Sequence, residues 1–152
     1  RIQSRTVYGG GGIFPDVFVP LDTTENSAYF SKILRTGLDS RFALNLVDSL
    51  RDDLVSAYPD EDTFIAQFEL DAALLKEFQE FTTAEGVEFN PTDWETSQKA
   101  IALRLKAMIG RNLLEPSTFY RVISGLNESL QRAVEVLQDG TFERSNLAHD
   151  TF

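Results

Sequence analysis

Arg41-Phe42-Ala43-Leu44-Asn45-Leu46-Val47-Asp48-Ser49-Leu50-Arg51-Asp52-Asp53-Leu54 is the stretch that decides the fold class. Phe42, Leu46, Leu50 and Leu54 recur every fourth residue, with Ala43 and Val47 beside them. At about 3.6 residues per turn, that spacing gathers them into one apolar stripe and predicts an amphipathic helix ending near Tyr58-Pro59. Asp52-Asp53 falls on its polar face and reads as solvated surface.

Working outward, the same period governs most of the chain. Gly37 separates this helix from a shorter one at Ala28–Arg35. Asp60, Glu61 and Asp62 place negative charge at the start of a short helix around Thr63–Phe68, where the helix dipole favours it. Leu74, Leu75, Phe78 and Phe81 mark the next helix, with Gly86 as its stop. After Asn90-Pro91-Thr92-Asp93, the residues Trp94, Ile101, Leu105, Met108 and Ile109 predict a longer amphipathic helix. Pro116 suits the first turn of a last helix carrying Phe119, Ile123, Leu126, Leu130, Val134 and Leu137, closed by Gly140. These helices differ in length and stripe, so no repeat array is expected. Short connections predict a small helical bundle over residues 25–140, with a polar tail at 141–152. Much of its core would come from the 12 phenylalanines, each worth about 1.5–3 kcal/mol when fully buried.

Residues 1–24 are of another kind. They hold the glycine run Gly9-Gly10-Gly11-Gly12, the prolines Pro15 and Pro20, and the apolar run Val17-Phe18-Val19 between breakers. They read as a short β-hairpin with a glycine loop, in which Asp16 hydrogen-bonds turn amides. A hairpin alone is marginally stable in water, so the rest of its sheet is expected elsewhere. The chain opens at Arg1 with no methionine and enters strand-like sequence almost at once, as a cut through a larger protein would.

Composition narrows the function classes. With 152 residues the chain fits one ordinary domain or one with an appended segment, and 42% hydrophobic residues make it globular. A formal net charge of -10 repels phosphate backbones and anionic lipid, so no nucleic-acid partner is expected. No apolar run approaches the roughly 20 residues of a membrane span. Zero cysteines exclude disulfides and thiolate metal sites, and the single histidine, His149, sits in the polar tail.

Each candidate motif has a plainer alternative. The glycine run is followed by Ile13-Phe14-Pro15-Asp16 and a strand, not by a helix with a lysine, so it does not read as a phosphate loop. Asp60-Glu61-Asp62 lacks the mid-loop glycine and alternating ligands of a calcium loop and reads as helix capping. Acid pairs for glycoside chemistry carry no specificity among 24 acidic residues. Lys32, Lys76, Lys99 and Lys106 lie in helical stretches, mostly on polar faces, and no Gly-x-Ser-x-Gly elbow occurs. No catalytic, cofactor-binding or metal-binding residue is assigned.

Arg5-Thr6-Val7-Tyr8-Gly9-Gly10-Gly11-Gly12-Ile13-Phe14-Pro15-Asp16-Val17 closely resembles the closing segment of the catalytic domain in carboxyl-terminal processing, or tail-specific, serine peptidases. The four-glycine run and the following Val19-Pro20-Leu21-Asp22-Thr23-Thr24 look like the Bacteroidetes-type branch. The match covers about the first twenty residues; the helical remainder is similar to that branch's C-terminal extension on weaker grounds. The resemblance implies a parent with a PDZ-like domain, a peptidase core using a serine nucleophile and a lysine base, and export to the periplasm or cell envelope. Both dyad motifs would lie upstream of Arg1, so only Gly9, Gly10, Gly11, Gly12, Pro15 and Asp16 are carried over, as structural elements.

The expectation is therefore a non-catalytic C-terminal region that packs on the parent's peptidase core and PDZ-like domain. There it would aid the positioning of protein substrate tails or the assembly of a homo-oligomer. The alternative is a self-contained helical module recruiting an adaptor or substrate protein. An unrelated small acidic enzyme would require a cleft with a perturbed carboxylate.

Overall fold

The computed structural model describes residues 26–124 and 128–140, and within them the fold is mainly helical, with no strand. The helices run in the order α1 (Ala28–Thr36), α2 (Leu38–Ala57), α3 (Glu61–Gln67), α4 (Ala72–Ala84), α5 (Pro91–Leu113), α6 (Pro116–Ser124) and α7 (Glu128–Gln138). The expected hairpin and glycine loop at 1–24 and the polar tail at 141–152 lie outside the described residues. Among the described residues no helix is long and apolar enough to cross a membrane.

Local chemistry sets the boundaries. Ser27, Asp60, Asp71 and Asn90 each accept, through the side chain, the amide of the third residue onward, capping α1, α3, α4 and α5. Each such cap stabilises its helix by about 0.5–2 kcal/mol relative to alanine. Pro91 follows its cap at the first helical position, where a missing N–H costs nothing. Gly37 takes φ 67°, ends α1 with its N–H on the carbonyls of Ile33 and Leu34, and lets α2 begin at the next residue.

The bundle is organised around α5, which packs along α2 and α6 and against α1; α3 rests on α5 and α6, and α4 on α2. Two buried clusters form. One joins Val47, Phe64, Phe68, Ile109, Leu113 and Val122; the other joins Ile33, Phe42, Phe78, Val87, Ile101 and Leu105. Leu70 and Leu74 pack against both. The α5 stripe of Trp94, Ile101, Leu105, Met108 and Ile109 is buried throughout.

One expectation needs correction. Phe42, Ala43, Leu46 and Val47 are buried, but Leu50 is 43% exposed. The backbone leaves helical geometry at Leu50, with φ -122° and ψ 18°, so the stripe does not continue straight through it. Leu54, beyond that kink, returns to the edge of the first cluster. Of the expected last helix, α6 is described to Ser124 and α7 from Glu128, and residues 125–127 lie outside the described residues. Phe119 and Ile123 pack on the first cluster, whereas Leu130, Val134 and Leu137 on α7 are exposed.

Gly110 marks a close crossing. A methyl group there would lie 2.6 Å from Phe64 Cε1 and 2.7 Å from Thr118 Cγ2. Phe64 cannot retreat easily, because it stacks on Phe68 at 4.7 Å and meets Tyr58 edge-on at 5.7 Å. Alanine improves helix propensity by about 1 kcal/mol, while overpacking costs about 1–3 kcal/mol. Gly110→Ala is expected to lower the melting temperature followed by circular dichroism. A higher melting temperature would mean that the three helices approach less closely.

Candidate functional site

A cleft of about 310 Å³ opens beside the N-terminus of α1, with Tyr29, Lys32, Phe89, Asn90 and Asp93 among its walls. Its geometry follows from the caps. Asn90 Oδ1 accepts the Asp93 amide at 3.1 Å as α5 begins, and Asp93 Oδ2 in turn accepts the Tyr29 amide at 2.9 Å in α1. Ser27 Oγ accepts the Phe30 amide at 3.1 Å and lies 2.8 Å from Ser97 Oγ, which donates to the Asp93 carbonyl at 2.6 Å. Phe89 meets Tyr29 edge-on at 5.9 Å and tilts against Trp94 at 6.0 Å. Lys32 Nζ donates to the Gly86 carbonyl at 3.1 Å. Across Phe89 a shallower recess of about 470 Å³ runs along Lys76, Glu80 and Thr83 of α4.

This arrangement orients helices and activates no nucleophile. Ser97 gives its proton to a peptide carbonyl, which is no general base, and Ser27 is spent on capping. Thr82 Oγ1 lies within hydrogen-bond reach of both the Gln79 carbonyl, at 3.0 Å, and the Tyr29 hydroxyl, at 2.7 Å. Burial pushes the Tyr29 phenol above its usual value, against the opposing effect of the Thr82 hydrogen bond. No buried side-chain nitrogen or oxygen among the described residues lacks a partner, and no group of three or more His, Asp or Glu there could hold a metal ion. The candidate structural residues Gly9, Gly10, Gly11, Gly12, Pro15 and Asp16 lie outside the described residues, as does His149.

The second polar cluster joins α3 to α6. Glu61 accepts from Ser117 Oγ at 2.7 Å, Thr118 Oγ1 at 2.6 Å and Arg121 Nη1 at 2.6 Å, and Arg121 Nη2 reaches Asp62 at 2.5 Å. The hydrogen bonds from Thr118, then Ser117, then Arg121 hold the Glu61 carboxyl down at about 2. Asp60 is also lowered, chiefly by the Thr63 amide it caps. The helix-start role expected for the acidic triplet holds: Asp60 caps α3, and Glu61 and Asp62 lie in its first turn, where they also tie it to α6. Lys106 also departs from its expected polar face: its side chain is only 12% exposed, and Nζ donates to the Ile65 carbonyl at 2.8 Å.

Glu61 makes this tie pH-sensitive in one direction. Its folded pKa lies below the ordinary 4.5, so its contribution is complete above that value and is lost as pH falls towards about 2. Melting temperatures of the native chain and Glu61→Gln are expected to differ most near neutrality and to converge between pH 4.5 and 2. Asp60 titrates in both proteins, so the difference isolates Glu61. A gap that does not narrow on acidification would show that the charge on Glu61 is not what binds α6.

Ion pairing is otherwise structural. Asp39 is 3% exposed, and its carboxylate receives Arg104 Nε at 2.5 Å, joining α2 to α5. The Arg104 guanidinium also lies 5.8 Å from the centre of the Phe119 ring. Arg41 pairs with Glu85 and sits over Phe81.

A family model described as "Family of unknown function (DUF8443)" matches residues 29–115, more than half of the chain, from within α1 to just past α5. No curated protein and no solved structure matches.

Proposed function

The chain belongs to DUF8443, a family of unknown function, and we propose that it is the non-catalytic C-terminal portion of a tail-specific serine endopeptidase of the periplasm or cell envelope. Residues 1–24 would close the peptidase core, and the helical bundle would pack on that core or on another subunit, aiding substrate positioning or assembly. One observation carries the reading: the ordered phrase from Arg5 to Val17, with its four glycines and the Pro15-Asp16 pair, stands directly before the bundle. The site geometry agrees with a docking role. The hydroxyls and carboxylates around Ser97 and Glu61 are engaged in holding helices together, while α2 and α7 leave apolar side chains such as Leu44, Val55, Val134 and Leu137 at the surface.

The coding sequence upstream of Arg1 tests this. It is expected to encode a serine motif and a lysine motif within about one domain length, on the order of 150–250 residues. A start codon at or just before Arg1 would overturn it. Reaction of the purified 152-residue chain with a serine-directed fluorophosphonate is expected to give no labelling; a labelled serine would count against a non-catalytic role.

A second reading has its own support. The family match begins at Tyr29 and leaves out the glycine phrase, as it would for a self-contained module that recruits an adaptor or substrate. Residues 26–140 produced alone are then expected to bind a soluble partner other than the peptidase core; binding to that core alone favours the first reading.

A further inference from the structure

We draw no further inference here: the strongest candidate, the exposed apolar stripe of Leu130, Val134 and Leu137 along α7, carries none because nothing in the structure shows what covers it.

Discussion

Phe64→Ala is expected to cost about 3–5 kcal/mol, the usual range for deleting a fully buried phenylalanine ring. Phe64 has no exposed surface and occupies the point where α3 meets α5 and α6. Its ring is stacked on Phe68, met edge-on by Tyr58 and pressed against the backbone of Gly110. Such aromatic pairs add about 0.5–1.5 kcal/mol each beyond the area they bury. Removing the ring therefore takes away transfer free energy, two ring contacts and the filling of the space over Gly110. Collapse into that space is opposed by the packing of α5 along α2. Urea denaturation should show a lower midpoint with an unchanged slope. A loss below about 1 kcal/mol would place Phe64 outside the core. The companion test uses the vacated volume: Gly110→Ala should be far less harmful in the Phe64→Ala background than alone, since the added methyl then meets open space.

Arg104→Met is the other large effect, expected at about 3–5 kcal/mol. The reason lies in its partner. Asp39 is 3% exposed and sits in the first turn of α2, so without Arg104 its carboxylate has neither water nor a cation. Methionine keeps much of the arginine's apolar stem, so the loss falls on the guanidinium, its bond to Asp39 and its place over the Phe119 ring. The double variant Arg104→Met with Asp39→Leu removes both charges and should recover most of the stability, because apolar pairs of similar volume replace buried ion pairs without penalty in many folds. Equal losses for the single and double variants would mean that packing, not the stranded charge, is what Arg104 supplies. Chemical denaturation of the four proteins in this cycle gives the coupling directly.

What the sequence made legible was what neighbouring residues decide. Gly37 as a break, Asn90-Pro91 as a helix start and the α5 stripe from Trp94 to Ile109 all depend on residues within a turn or two of one another. Leu50 escaped because periodicity assumes a straight helix, and the backbone bends at that residue. The Glu61 cluster escaped for a different reason: its partners lie 56, 57 and 60 residues away, and no local pattern announces them. Ser97 could have been found. It falls three residues after Trp94 and four before Ile101, on the apolar stripe, where a hydroxyl must find a buried partner. Asp39 offered no such clue, since an acid in a helix's first turn is ordinary on the surface. The glycine phrase at Gly9–Gly12 lies outside the described residues.

The two apolar clusters are threaded by the same pair of long helices. α2 gives Phe42 to one and Val47 to the other, and α5 gives Ile101 to one and Ile109 to the other. Neither half can therefore melt without uncovering part of its neighbour, and no peptide bond in the connection at 85–90 separates two independently stable pieces. A protease nicking that connection would leave two fragments clasped together, parting only when the whole assembly comes undone.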